Sequence, residues 1–241
     1  MGKNIIIIPA RFKSVRFPGK PLELIAGKTM IQFIYDRIKN IEQIDEIIVA
    51  TDDEKISKHC RDSGIPFLMT CINHQSGTDR VAEVAKRYPP DDQIINVQGD
   101  EPFIRPSDIK TLMDTLRVAP DGIATLACQI KEESQRLNPN RVKVVFNQRR
   151  EAMYFSRYPI PYKKDQNHEE FSFQHIGIYG FKNHMLQILT NLPPGRYEKS
   201  ESLEQLRWLE AGYRISIGFV PEALFSVDTP EDLIEANKWA I

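Results

Sequence analysis

The residues best suited to chemistry fall in a few short clusters. Arg11-Phe-Lys-Ser-Val-Arg-Phe-Pro-Gly-Lys20 carries Arg11, Lys13, Arg16 and Lys20 and no acid. Lys and Arg make up 32 of 241 residues, so a stretch of this length would hold little more than one cation by composition. An uncompensated basic loop suits a polyphosphate. Arg offers a planar fork for two phosphate oxygens, and Lys a compact point charge. At ~4 Å and an effective dielectric near 20, each close cation–phosphate contact is of order 4 kcal/mol before desolvation. Pro18 and Gly19 shape the turn before Lys20. The other reading is a solvated basic loop, and the Walker pattern G-x-x-x-x-G-K-[ST] is absent.

Carboxylates form the second cluster. Asn96-Val-Gln-Gly-Asp-Glu-Pro102 places Asp100 and Glu101 just after an apolar run, and Phe225-Ser-Val-Asp228 places a further acid before Thr229-Pro-Glu-Asp. Mg²⁺ commonly takes one or two protein carboxylates and completes its shell with water and phosphate. Asp100 and Asp228 form a candidate pair of that kind. Equally, Asp100 suits a turn and Asp228 a helix start, with Thr229 as cap, Pro230 in the first turn and Asp232 in a capping-box position.

Polar segments supply the rest. His74-Gln-Ser-Gly-Thr-Asp-Arg80 offers Ser76, Gly77 and Thr78 either to a ligand or to helix capping. Glu201, Glu204 and Gln205, at i, i+3 and i+4 of an expected helix, share one face that suits sugar hydroxyls or plain solvent. His59, His168 and His184 read as surface residues, and no HxxxH or HExxH spacing occurs.

These clusters need a scaffold. Strands are expected at Asn4–Pro9, Glu46–Thr51, Pro66–Met69 and Gln93–Val97. Between and after them, Thr29–Lys39, Asp53–Ser63, Gly77–Tyr88 and Pro106–Leu116 show helical spacing. Alternation of this kind gives βαβ units, a parallel sheet and ligand binding at the strands' C-terminal edge. The second half reads as a mixed-sheet insertion, with strands at Ile123–Ile130, Arg141–Val145, Met153–Phe155 and His175–Phe181. Ser200–Gly212 and Pro230–Trp239 read as helices, and Arg214–Val220 and Phe225–Val227 as short strands able to rejoin the first sheet. Lys163–Glu170 is the expected mobile loop. The expectation is one compact α/β domain with a β-rich lobe.

Bulk composition is that of a globular protein: 41% hydrophobic, 27% charged, net charge −1. No global field recruits nucleic acid or an anionic membrane. No apolar run approaches the ~20 residues of a bilayer span, so a cytoplasmic location is expected. Cys60, Cys71 and Cys128 lack CxxC spacing and read as reduced thiols, mostly buried.

Taken together, the segments resemble the 3-deoxy-manno-octulosonate (Kdo) cytidylyltransferase family, nearly end to end. The residues that carry the likeness are Ile8-Pro-Ala-Arg11, Arg16-Phe-Pro-Gly-Lys-Pro-Leu22, Ala50-Thr-Asp-Asp53, His74–Arg80, Asn96–Pro102, Ser156-Arg157, His175-Ile-Gly-Ile-Tyr179, Glu201-Ser-Leu-Glu-Gln-Leu-Arg207 and Val227–Leu233. The resemblance implies a nucleotide-diphospho-sugar transferase (Rossmann-like) fold: a mostly parallel mixed sheet flanked by helices, with a smaller sugar-binding and dimerisation lobe. It implies a homodimer that condenses CTP with Kdo, using Mg²⁺, to CMP-Kdo and pyrophosphate for the lipopolysaccharide inner core. By similarity, residues 1–120 mainly bind CTP, 121–220 mainly serve sugar and dimer, and 221–241 return to the main sheet. Arg11 and Lys20 would hold the triphosphate. Pro9, Ala10, Ser76, Gly77, Arg80 and Gln98 would surround the nucleotide, and Asp100 and Asp228 would take metal. Gln98, Arg157, His175, Glu201, Glu204 and Gln205 would line the sugar pocket, with Arg157 facing the sugar carboxylate. Arg11, Lys20 and Asp100 would be the catalytic set.

The chain departs from the family at Tyr158 and Tyr162, where many members have a small residue and then Trp, and at Pro193-Pro-Gly-Arg-Tyr. Both departures lie on the sugar side. Activation of 8-amino-Kdo or another acidic sugar therefore stays open. Pro21 after Lys20 favours Kdo over sialic-type acids, which typically have Asn there. A CTP sensor without catalysis is the reading from a different class.

Overall fold

The computed structural model describes residues 2–13, 17–164 and 171–240. Arg16, His168 and most of the expected Lys163–Glu170 loop lie outside them. The first half runs β1 (Asn4–Ala10), β2 (Leu24–Ile25), β3 (Lys28–Thr29), α1 (Met30–Ile38), β4 (Glu46–Thr51), α2 (Glu54–Asp62), β5 (Phe67–Met69), α3 (Gly77–Ala85), β6 (Gln93–Asn96) and α4 (Pro106–Arg117). The second half runs β7 (Ile123–Gln129), α5 (Glu133–Leu137), β8 (Lys143–Phe146), β9 (Ala152–Ser156), β10 (Phe173–Lys182), α6 (Asn183–Thr190), α7 (Arg196–Glu201), α8 (Gln205–Glu210), β11 (Ser216–Phe219) and α9 (Pro230–Trp239).

The chain divides into two compact units. The first comprises Met1–Ile109, Lys182–Thr190 and Leu224–Ile241, and the second Lys110–Phe181 and Asn191–Ala223. In the first unit β6, β1, β4 and β5 pair side by side, all parallel. Ile5 to Ile8 are fully buried, as a strand covered on both faces requires. Ile7 lies opposite both Ile48 and Asn96, so β1, β4 and β6 end on the same edge. Side chains fix where the helices start. Asp53 caps α2, while Ser76 with Asp79 and Thr229 with Asp232 form capping boxes on α3 and α9. Each cap stabilises its helix by about 1 kcal/mol and sets where the preceding loop must end.

The second unit is mainly antiparallel. β10 pairs with β7 and β8, and β8 with β9, while β11 joins β7 in parallel. Its core closes around Trp208, which meets Tyr179 and Phe181 edge-on at centroid distances of 5.1 and 5.5 Å. The α/β class, the parallel first half and the antiparallel insertion agree with the sequence reading.

Three local expectations are corrected. Phe225–Val227 is not a strand, because side chain and loop take the place of a sheet neighbour. The Val227 N–H donates to the Asp100 carbonyl at 2.9 Å, and the Val227 carbonyl accepts from Lys20 Nζ at 2.9 Å. Ser200–Gly212 is not one helix. Ser202 takes left-handed torsions (φ 52°, ψ 48°), and Arg157 fills the last turn of α7 by donating from Nε to the Glu201 carbonyl at 2.8 Å. The second half also holds α5 and α6, which periodicity did not reveal. Cys60 and Cys128 are buried and Cys71 is exposed. Among the described residues no helix is long and apolar enough to cross a membrane.

Candidate active site

The C-terminal edge of the parallel strands carries a cleft of about 350 Å³. Its cationic side is Arg11, Lys13 and Lys20, and its floor is Pro9, Gly77, Gln98 and Gly99. Ligands of open α/β sheets bind at this edge. The floor depends on two glycines. A Cβ on Gly99 would stand 2.9 Å from the Pro9 carbonyl oxygen, and one on Gly77 would stand 3.2 Å from Gln98 Oε1 and 3.3 Å from Pro9 Cγ. The Gly99 backbone therefore packs directly on that of Pro9, and Gly77 lies close against the Pro9 and Gln98 side chains. Gly19 completes the basic loop with φ +77°, a torsion that favours glycine. Its N–H donates to the Phe12 carbonyl at 2.8 Å, which turns Lys20 back toward the cleft.

Lys20 is the hub. Its Nζ donates to Asp100 Oδ2 at 3.0 Å and to Asp228 Oδ1 at 3.4 Å. Lys20 keeps 12% of its side-chain surface, while Asp100 and Asp228 keep 34% and 39%. Both carboxylates thus remain partly open to solvent beside a more enclosed lysine. The expected pair is brought together. Two hard oxygen donors with free access fit Mg²⁺, which needs no all-protein cage. Among the described residues no group of three or more His, Cys, Asp or Glu could hold a metal, so any ion here relies on water and substrate oxygens as well. Arg11 donates from Nη1 to the Gln75 carbonyl at 3.2 Å, which fixes it beside the start of α3.

Glu101 points the other way. It is 8% exposed, accepts from Ser226 Oγ at 2.7 Å, and is pushed up to about 8 by burial and then by the neighbouring Asp100 charge.

Several expected ligands have other partners. Arg80 is fully buried and donates to Asp52 Oδ2 at 3.0 Å and to Thr70 Oγ1. It anchors α3 from beneath and does not line the cleft. The Ser76 hydroxyl and N–H both serve the capping box with Asp79. Ala10 is buried at the end of β1, so Pro9, Gly77 and Gln98 are the residues there that face the cleft.

Of the expected sugar-side residues, Gln98 lines this cleft and the rest belong to the second unit. Arg157 directs its guanidinium at the carbonyls of Glu201, Pro139 and Ser202. Glu201 accepts from Ser156 Oγ at 2.7 Å and from the Arg157 N–H at 2.9 Å. His175 is buried, bonded to Thr125 Oγ1 at 2.9 Å, and burial pushes it down to about 3, so it is neutral. Glu201 ends α7, Glu204 precedes α8 and Gln205 begins it, so the three do not share one helix face.

Sequence reasoning named Lys13 but gave it no role, and it missed Pro21 and Gly99 in the lining and Asp52 and Thr70 as partners of Arg80. Gly99 had a signal, since it directly precedes Asp100 at a strand end. The Arg80 partners had none, because the pairing joins segments distant in sequence.

Comparison with known proteins agrees with this geometry. The family described as Cytidylyltransferase matches residues 5–215. A 3-deoxy-manno-octulosonate cytidylyltransferase of Cytophaga hutchinsonii is 47% identical over 97% of this chain and 96% of its own. One of Thermodesulfovibrio yellowstonii is 43% identical over 98% and 97%. The solved structure of a CMP:2-keto-3-deoxy-manno-octonic acid synthetase complexed with CTP superposes with a TM-score of 0.92 at 41% identity, covering 99% of this chain and 98% of that one. A 4-diphosphocytidyl-2C-methyl-D-erythritol synthase from Anaerococcus prevotii, 16% identical with a TM-score of 0.63, shares the fold alone.

Proposed function

The chain belongs to the 3-deoxy-manno-octulosonate cytidylyltransferase group of the cytidylyltransferase family, and from that premise we infer that it transfers CMP from CTP to Kdo, releasing pyrophosphate. The observation that carries the reading is the meeting of Asp100 and Asp228 on Lys20, which with Asp100 lines a cationic cleft. In the reaction the anomeric hydroxyl of the sugar acid attacks the α-phosphorus of CTP, and the bond to the bridging oxygen of pyrophosphate breaks. Such a displacement depends on alignment and charge neutralisation and needs no covalent enzyme intermediate.

The chain's own residues supply both. Arg11, Lys13 and Lys20 bind the triphosphate and offset the charge that builds on leaving pyrophosphate. Pro9, Gly77 and Gln98 receive the cytosine on the cleft floor. Asp100 and Asp228 would hold Mg²⁺, which when bound neutralises phosphate charge and favours ionisation of the attacking hydroxyl. Arg157, Glu201, Glu204, Gln205 and neutral His175 shape the sugar-binding surface of the second unit, with Arg157 holding the α7–α8 junction. The exposed Met153, Tyr158, Tyr162 and Phe171 of that unit support a homodimer. We place the enzyme in the cytoplasm, where CTP is available.

The test is pyrophosphate release with each nucleoside triphosphate against Kdo, 8-amino-Kdo and a nonulosonate, with and without Mg²⁺. Release is expected with CTP, Kdo and Mg²⁺ together, and Asp100→Asn should lower it by at least ~100-fold. Preference for 8-amino-Kdo would reassign the sugar. CTP binding with no sugar-dependent release would make the protein a sensor.

A further inference from the structure

We propose that Glu101 and Ser226 are positioning residues that set the spacing of the two aspartates and so the affinity of the site for its divalent cation. The inference rests on the reading of Asp100 and Asp228 as the cation-holding pair.

The two aspartates are far apart in the chain, and neither lies inside a strand or helix. Their separation is therefore fixed by whatever joins the 98–103 turn to the 225–228 segment. Polar bonds make the first join. Ser226 Oγ donates to Glu101 Oε1 at 2.7 Å, and the Val227 N–H donates to the Asp100 carbonyl at 2.9 Å. The residue after Asp100 thus pairs with the residue two before Asp228, and the Asp100 carbonyl with the residue just before Asp228. Behind this latch lies an aromatic clasp. Phe103 meets Phe225 at 6.0 Å, and both meet Trp239 of α9, at 6.0 and 5.0 Å. Phe103 also meets Phe33 of α1 at 5.7 Å, and Arg37 donates from Nε to the Ile104 carbonyl at 3.1 Å.

The clasp fixes the segments in bulk, but Phe103 and Phe225 each sit three residues from the nearer aspartate. Closer to the ligands, Lys20 bridges the carboxylates from the cleft side, and the Glu101–Ser226 bond ties the two backbone segments from behind. Its position is protected: Glu101 is 8% exposed and its Oε2 is buried without a hydrogen-bond partner. Leaving a buried carboxyl oxygen unsatisfied is costly, so the arrangement is stable only because Oε1 has Ser226. The function reading uses neither residue. Neither side chain lines the cleft, so their effect must pass through Asp100 and Asp228. Ligand-orienting partners of this kind typically change metal affinity by 10–100-fold when removed.

The test compares the parental enzyme with Ser226→Ala, Glu101→Ala, Glu101→Gln and Asp100→Asn. Mn²⁺ binding to each enzyme without nucleotide is read from the free-ion electron paramagnetic resonance signal. The half-saturating Mg²⁺ for pyrophosphate release is read at saturating CTP and Kdo. Ser226→Ala and Glu101→Ala should weaken Mn²⁺ binding and raise half-saturating Mg²⁺ by roughly tenfold, with kcat at saturating Mg²⁺ within about threefold of parental. Glu101→Gln keeps a carbonyl oxygen for Ser226 and should recover most of the affinity. Circular dichroism confirms that each variant is folded. If folded Ser226→Ala binds Mn²⁺ as the parental enzyme does while Asp100→Asn does not, the positioning role is wrong and the metal reading survives. If Asp100→Asn also binds as parental, the metal reading itself falls.

Discussion

Lys20 Nζ lies 3.0 Å from Asp100 Oδ2 and 3.4 Å from Asp228 Oδ1, so one ammonium bridges the two carboxylates proposed to hold a divalent cation. If the two aspartates hold the cation, Lys20 competes with it for the same charge until a triphosphate gives the lysine a second anion. Lys20→Met should separate these effects. Turnover should fall at least ~100-fold, because a donor to the leaving pyrophosphate is gone. Mn²⁺ affinity without CTP should rise severalfold, because a positive charge no longer sits between the ligands. A variant that loses both turnover and Mn²⁺ affinity would show that Lys20 organises the aspartates and does not compete with the ion.

Gly99→Ala tests the cleft floor. The new Cβ would stand 2.9 Å from the Pro9 carbonyl, a backbone atom that cannot swing aside. Overpacking of this kind costs about 1–3 kcal/mol. The strain falls under the expected base site, so the KM for CTP should rise more than the KM for Kdo. Gly77→Ala meets first the Gln98 side chain, which can move, and should be milder in stability. Equal KM changes for both substrates would argue that the floor does not receive the base.

Arg80→Ala distinguishes an anchor from a nucleotide ligand. The guanidinium is fully buried against Asp52 and Thr70. Removing it leaves Asp52 without its cation, and breaking one side of a buried pair costs about 3 kcal/mol. Melting temperature should drop by several degrees, while the KM for CTP measured well below that temperature stays within about threefold. A large KM rise in a stable variant would restore Arg80 to the nucleotide site.

Local chemistry was legible in the sequence and long-range partnership was not. Ile5 to Ile8 announced a covered strand, Thr229 and Asp232 announced their capping box, and Ser76 was one of two candidate caps for α3, because those signals involve neighbours in the chain. The basic loop and Asp100 could be placed at a strand's C-terminal edge for the same reason. Arg80 misled because a cation one turn into a helix looks the same whether it faces a ligand or Asp52. Glu201, Glu204 and Gln205 misled because helical spacing says nothing about the left-handed Ser202 between them. Phe225–Val227 read as a strand because its residues favour extension. Its bonds go to Lys20 and Asp100 instead, a fact held in no window of the sequence.

His175 makes the second unit acid-sensitive. It is buried against Phe155 and Tyr179, and burial lowers it from 6.5 to about 3. The unfolded chain gains a proton on this ring below pH 6.5, while the folded chain does not until near pH 3. Stability from this residue is therefore complete above pH 6.5 and is lost as pH falls toward 3. At pH 5 the loss is about 2 kcal/mol, from about one and a half units at 1.36 kcal/mol each. His175→Gln keeps a polar partner for Thr125 and has no proton to gain. Its melting temperature at pH 7.5 should lie below the parental value, but the gap should narrow or reverse at pH 5. Parallel pH profiles for the two proteins would show that His175 is protonated in the fold, which would reopen a charged role beside the sugar acid.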